Sequence, residues 1–400
     1  MNMIDVIQLR GSVSENSLRS AFTQLCARQG ALRTSFHFPV GAPPYKTISQ
    51  KMPQLQVVDA QSSDVPMLLE QAQSTPYDLA QGPPARCALL RQPDGQNTLV
   101  LGFHHAVGDA VSRELMRREL FRLYTANPSH CTPGEDHTGF AFQEADYSAW
   151  ETEELNKGRF SAALGMWQQV FMGYCHPKKL YLNRKMSLDA ESEAGTKTLE
   201  LASDELLKLR QFAATHGSTV ARVVTAALAG QLMRSLQQND LVMAMVRQNR
   251  RHPRLQKTVG SLLDLMPLRL SAMSPEGLSL LGLMHQMNDI STALLTSWAP
   301  GASIAQYCNL VEPSRCFFSV IMNYRHAGSD GKVFDLGDCE AEPQVPLVSG
   351  NYTCNLVAHC RESQDVLEIN LSFRLSFMSI ETASRFATEL KVISNFSTPF

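Results

Sequence analysis

The sharpest pattern of hydrophobic and polar positions lies between residues 99 and 123. Leu99, Leu101 and Phe103 alternate with Val100 and Gly102, the two-residue period of a buried strand. Past Asp109 the period changes. Val111, Leu115, Met116, Leu120 and Leu123 recur at helical spacing, with Arg and Glu on the other face. His104 and His105 therefore stand where a strand ends, and Asp109 stands where a helix begins and is placed to cap it. The N–H groups of that first turn point back toward the histidines.

The same reading extends along the chain. Residues 6–9 form a strand ended by Gly11, and Ser14 then caps a helix carrying Leu18, Phe22, Leu25 and Cys26 on its apolar face. Pro128, Pro133 and Gly134 mark a loop. Long helical patterns hold Asp146-Tyr-Ser-Ala-Trp150 and Met166-Trp167, whose aromatics are expected as core anchors. The Lys-, Asn- and Ser-rich stretch 173–195 reads as a linker, which predicts an N-terminal lobe over 1–172 and a C-terminal lobe over 196–400. In that second lobe a strand over 196–201 precedes a helix capped by Ser203 and ended near His216-Gly217. Ser218 opens an apolar helix through Leu232, residues 240–246 form a strand, and Ser274-Pro275-Glu276 starts a helix. Residues 366–373 alternate as a strand, and Ser379 caps a last helix bearing Ile380, Phe386 and Leu390.

Composition narrows the class. With 400 residues, 44% of them hydrophobic, the chain has enough apolar material for two domains. A net charge of −2 and a pI near 6.6 give no electrostatic draw toward nucleic acid or a membrane surface. The nine cysteines form no CxxC, which fits reduced thiols in a cytoplasmic protein. No basic segment followed by a long apolar run opens the sequence, so no signal peptide is expected. Arg222 and Arg234 interrupt the apolar run near 220–232, which predicts a packed helix instead of a membrane span.

By themselves the two histidines fit hydrogen-bonded core residues as well as catalytic ones, and Asp109 fits a simple helix cap. A metal site lacks a third ligand at useful spacing, so none is expected. The stretch His104-His105-Ala-Val-Gly108-Asp109-Ala110 resembles the HHxxxDG signature of the chloramphenicol acetyltransferase-like superfamily, which includes the condensation domains of nonribosomal peptide synthesis. Ala110 replaces the final Gly. Other segments resemble the same family. Residues 28–36 are similar to RHExLRTxF, with Gln29 and Gly30 in place of His and Glu, and Tyr77 to Arg86 is similar to FDLxxGPLxR. Both read as structural, a buried Arg and a Gly-Pro turn holding the sheet edge. Residues 146–150 and 166–167 resemble the DYAxW and YW elements. Residues 250–269 resemble GRxxPE…GxFxNxLxLR, with Asn249 for Gly and Asp264 for Asn. Ser314 to Asn323 resembles SRxPLFQVxF, whereas HQDxPFE is not recognisable in 299–306. An SxAQ-like start, a carrier-protein LGGxS site and an adenylation signature are not seen, so a free-standing member is expected.

The resemblance implies an α/β (α+β) fold of two chloramphenicol acetyltransferase-like lobes in a V-shaped pseudo-dimer, with the active site at the cleft. It implies an acyltransferase that forms an amide, or less readily an ester, in secondary-metabolite biosynthesis. The donor is an acyl or aminoacyl thioester on an acyl or peptidyl carrier protein, and the acceptor is a small amine or alcohol. By the same resemblance His105 is the catalytic base, His104 orients the loop, and Asp109 pairs with Arg250 to fix its geometry. An imidazole suits the task because its ordinary pKa of ~6.5 lets it take a proton at neutral pH. Backbone N–H groups around Gly108, Ala110 and Val111 are placed to receive an oxyanion. No bound cofactor is expected; phosphopantetheine on the carrier protein, or CoA, brings the donor. Of the basic cluster Arg247, Arg250, Arg251, His252 and Arg254, all but Arg250 are expected on a solvated surface. Two other readings stay open: acyl-CoA as donor, and a catalytically silent relative that binds carrier proteins or recruits a partner. Loss of His105 or Asp109 would favour the silent relative, and both are present. Epimerisation lacks its EGHGRE-type motif.

Overall fold

A computed structural model of the chain describes residues 1–93, 95–126, 142–174, 194–250, 252–272, 278–296, 298–310, 318–328, 331–344 and 354–393. The loop expected at Pro128, Pro133 and Gly134, the helix start at Ser274-Pro275-Glu276, residues 175–193 of the expected linker, Arg251 and residues 314–317 lie outside them.

The chain forms two compact units. The first comprises Met1–Glu153, Gln248–Leu263 and Gly328–Val348, and the second Glu154–Arg247, Asp264–Ala327 and Ser349–Phe400. The first unit holds a six-stranded sheet in the order β11-β12-β1-β6-β5-β4. These strands are Phe334–Asp335, Cys339–Pro343, Asn2–Gly11, Gln96–His104, Ala85–Arg91 and Leu55–Asp59. The alternation of β1 and β6 divides their side chains between two layers. Ile7, Leu9, Leu101 and Phe103 pack under α1 (Glu15–Arg28) and α3 (Ala110–Thr125), against Phe22, Leu25, Met116 and Leu120. Ile4, Leu90 and Val100 pack on the opposite face with Leu68 and Leu69 of α2 (Val65–Ser74). A hairpin of β2 (Thr34–His37) and β3 (Tyr45–Ile48), and the helix α4 (Glu144–Asn156), complete the unit.

The second unit has a sheet in the order β7-β14-β13-β10-β8-β9. The strands are Ala194–Leu201, Leu367–Arg374, Leu356–Glu362, Val320–His326, Asp240–Gln248 and Leu263–Ser271. One face packs on α6 (Ser203–Thr215), α7 (Val220–Leu236), α8 (Leu280–Thr296) and α10 (Ile380–Ile393); the other meets α5 (Ser161–Phe171) and α9 (Gly301–Tyr307). The apolar helix read from 218–232 is α7, whose residues 223–233 are all buried. Among the described residues no helix is long and apolar enough to cross a membrane, and the six described cysteines are free thiols.

Several expectations are corrected. The division at 172 and 196 gives way to three interleaved segments per unit, because β12 pairs with β1 (Leu9 opposite Ala341) and Val259 joins the first core. Trp167 and Phe171 of α5 pack instead with Ile304 and Phe318 of the second unit. Trp150 is not a core anchor; it is 43% exposed and lies against buried Tyr147. Arg113 and Arg117 of α3 are buried, whereas Val111 and Leu115 are only half-buried. Arg247 is no surface residue either: it donates to Asp264 and lies over Trp298. Ala202 and Thr219, not Ser203 and Ser218, cap α6 and α7, while Ser14 and Ser379 cap their helices as expected. Arg33 has the structural role expected of it, donating to the carbonyls of Cys26, Ala27 and Ser49.

Candidate active site

The site grows out of the end of β6. Strand alternation sends Phe103 into the core and the His104 side chain to the α2 side. The chain then makes one 3-10 turn, His105–Val107, and His104 caps it: its Nδ1 accepts from the Ala106 N–H at 3.1 Å. That acceptor role requires an unprotonated Nδ1. Burial, followed by the positive charges of the Met1 amino group and His105, pulls His104 down to about 4. His104 thus caps the turn through Nδ1, while its Nε2 lies 3.0 Å from the Met1 amino nitrogen.

His105 opens the turn. Its backbone N–H donates to the Met1 carbonyl at 2.9 Å, its side chain is half-buried, and no described residue hydrogen-bonds its imidazole. Gly108 follows in extended backbone (φ −170°) that any residue adopts; glycine is needed because a Cβ there would lie 2.7 Å from the Phe103 ring. We expect Gly108→Ala to force the Phe103 ring aside and lower the melting temperature; an unchanged melting temperature contradicts this packing.

Asp109 caps α3 and is 3% exposed. Its Oδ1 accepts from the Ser112 N–H and Oγ, both at 2.8 Å, and from Arg250 Nη2 at 2.9 Å. Its Oδ2 accepts from Arg250 Nη2 at 3.0 Å and the Leu262 N–H at 3.2 Å. Both carboxylate oxygens of Asp109 are thus occupied by donors within the fold. Arg250 is itself buried and also donates to the carbonyls of Leu255 (2.8 Å) and Thr258 (2.5 Å). The expected pair is therefore in contact across 141 positions of sequence. Ala110, the first helical residue of α3, does not have a positive φ, so its methyl group carries no backbone strain. The N–H groups of Ala110 and Val111 belong to the first turn and have no i−4 carbonyl to reach.

Some participants escaped the sequence reading. Ser112 is fully buried; its Oγ gives its one proton to Asp109 and accepts from Arg250 Nη2 and the Gly260 N–H. Its signal was the third position after a capping Asp, on the buried side of the helix. Beneath the same helix Arg117 donates to Asp5 of β1 at 3.0 Å, and Arg113 lies 3.7 Å from the same carboxylate. An acid among the core-facing positions Met3, Asp5, Ile7 and Leu9 was the cue for that cluster. In the second unit two departures noted in the sequence meet. Asp264, its carboxyl pushed up by burial, accepts from the Gly301 N–H with both oxygens (3.0 and 2.9 Å), and a Cβ at 301 would stand 2.1 Å from the Leu265 carbonyl.

The family model described as the condensation domain matches residues 1–395. A bassianolide nonribosomal cyclodepsipeptide synthetase of Beauveria bassiana is 24% identical over 392 residues, covering 94% of this chain and 12% of its own length. A phosphinothricin tripeptide synthetase of Streptomyces viridochromogenes is 27% identical over 275 residues, 67% of this chain and 25% of its own. The chain thus spans only a small part of the relatives it matches. Among solved structures, the X-domain in complex with OxyB from teicoplanin biosynthesis superposes with a TM-score of 0.85 at 21% identity, over 98% of this chain and 88% of that one. The first condensation domain of the calcium-dependent antibiotic synthetase, bound to a substrate analogue, gives 0.72 at 18% identity, over 98% and 91%. The fold is the chloramphenicol acetyltransferase-like one that these structures share. With almost its whole length matched by that family model, the chain belongs to the condensation-domain family of nonribosomal peptide synthesis.

Proposed function

We propose that the chain is an acyltransferase joining a thioester-borne acyl or aminoacyl group to an amine, with an alcohol as the less favoured acceptor. The observation that carries this reading is the half-buried His105 imidazole, bonded to no described side chain and held on a turn beside the saturated Asp109. The amine nitrogen attacks the thioester carbonyl while His105 takes its proton. The tetrahedral oxyanion is received by N–H groups of Gly108, Ala110 and Val111 at the start of α3. Collapse breaks the C–S bond, and the proton passes from His105 to the leaving thiolate. The donor arm is phosphopantetheine on a carrier protein, with acyl-CoA as the alternative, and the setting is cytoplasmic.

Intact-mass analysis of acyl-loaded carrier proteins and acyl-CoA esters, each offered a panel of amines and alcohols, tests the proposal. Amide formation from the carrier-bound donor supports it; transfer from CoA esters alone replaces the donor; no transfer from either overturns it. One observation favours a second reading, recruitment of a partner protein: the likeness to an X-domain solved with OxyB, in a chain where Ala110 stands for the family's Gly. Ala110→Gly separates the two. For an acyltransferase it shifts kcat/KM toward bulkier acyl groups, with a stability loss of about 0.4–1 kcal/mol from added chain entropy. An inactive wild type with an active Ala110→Gly makes Ala110 a disabling residue and supports recruitment.

A further inference from the structure

The side of β6 away from α3 carries a stack that neither the fold nor the proposed chemistry accounts for. Gly102 leaves a notch between Val100 and His104, and the Tyr77 hydroxyl fills it: a Cβ at 102 would lie 2.9 Å from that oxygen. The Tyr77 ring meets the His104 imidazole edge-on, with centroids 6.3 Å apart and planes at 78°. On the ring lies Arg86, the cross-strand partner of Gly102, with its guanidinium carbon 4.0 Å from the centroid. Arg86 also donates to the Thr75 carbonyl at 3.0 Å and the Pro76 carbonyl at 2.6 Å, pinning the two residues that lead into Tyr77. Asn2 ties the same segment to the start of β1 by donating to the carbonyls of Gln73 and Thr75.

We propose that Tyr77, braced by Arg86, is a positioning residue for the histidine pair, holding the His104 ring where it accepts from the Ala106 N–H and so fixing the turn that carries His105. The His104 imidazole is the side-chain acceptor that caps this turn, and its Nε2 also lies 3.0 Å from the Met1 amino nitrogen. Protonation of Nδ1 would destroy the bond to Ala106; burial is the main cause that holds His104 low, and the Tyr77 ring stands edge-on against the imidazole as part of that cover. The charged and titratable groups around His104 are the Met1 amino group, His105, Tyr77 and Arg86. Because the folded value lies below that of a free imidazole, this cap contributes stability above pH ~6.5 and loses it as the pH falls toward 4.

The test compares wild type, Tyr77→Phe and Tyr77→Ala by following the imidazole Cε1–H resonances through a pH titration. Wild type and Tyr77→Phe keep the ring edge and titrate His104 alike, whereas in Tyr77→Ala it moves up by roughly one pH unit or more. Where acyl transfer is measured, Tyr77→Ala lowers kcat roughly tenfold with KM unchanged, and Tyr77→Phe restores it. An unmoved His104 in a folded Tyr77→Ala, or a Tyr77→Phe that behaves like Tyr77→Ala, overturns the proposal. Should Tyr77→Ala not fold, Arg86→Lys removes the brace to the Thr75 and Pro76 carbonyls and keeps the positive charge. An upward move of His104 in that variant supports the proposal and an unchanged titration overturns it. The kinetic arm rests on the reading of His105 as the base and the titration arm does not, so absent turnover with the expected titration counts against that reading alone.

Discussion

Replacing His105 with alanine is expected to reduce acyl transfer by about 10²–10⁴-fold, the usual contribution of a positioned general base. The fold should survive, since the ring is half-buried and no described residue is bonded to it. The proposed oxyanion donors are backbone N–H groups that the change does not touch. Steady-state kinetics alongside a thermal melt checks this. A variant with wild-type kcat/KM and an unaltered melt removes His105 from the chemistry and leaves recruitment of a partner as the better reading.

The second large effect concerns Asp109 and Arg250. Asp109→Asn retains a residue that caps a helix about as well, but it removes the charge opposite Arg250 and turns one accepting oxygen into an N–H donor facing other donors. Arg250→Ala instead strands the carboxylate among its remaining donors. Breaking a buried pair from either side typically costs about 3–5 kcal/mol, because the surviving charge stays buried. The double mutant should cost less than the two singles added together, by roughly 0.5–3 kcal/mol for residues in contact. Thermal or denaturant melts of the three variants decide the matter. Strict additivity would mean that the two side chains do not meet in solution.

The parts of the site legible in the sequence are those written locally. The switch from a two-residue to a helical period between Phe103 and Val111 marks β6 and α3, and the cap Asp109 marks the junction. Arg250 could be reached only through resemblance, since nothing near Asp109 in sequence points across 141 positions. Buried charge was the blind spot of the hydrophobic pattern. Arg113 and Arg117 fall on the inward side of α3 beside Met116 and Leu120, where Asp5, distant in sequence, and Glu114, one helical turn from Arg117, offset the buried charge. The boundary between units was illegible for a related reason. Strand β12 enters the first sheet by backbone hydrogen bonds to β1, and backbone pairing over such a separation leaves no local signature. Asp264 and Gly301 show the reverse case. Asp264 stands where the family pattern has Asn and Gly301 lies in the stretch where HQDxPFE is not recognisable, and the two meet: a buried carboxylate accepts from an N–H at a position too close to the Leu265 carbonyl for a Cβ.

The most direct test of the central claim is a single-turnover experiment with enzyme in excess over an acyl-loaded carrier protein, read by intact mass before and after an amine is added. Wild type is expected to remove the acyl mass from the carrier and yield the amide on the amine, and His105→Ala to do neither within the same time. Transfer at equal rates by both proteins, or by neither for any carrier-bound or CoA-bound donor, would contradict it.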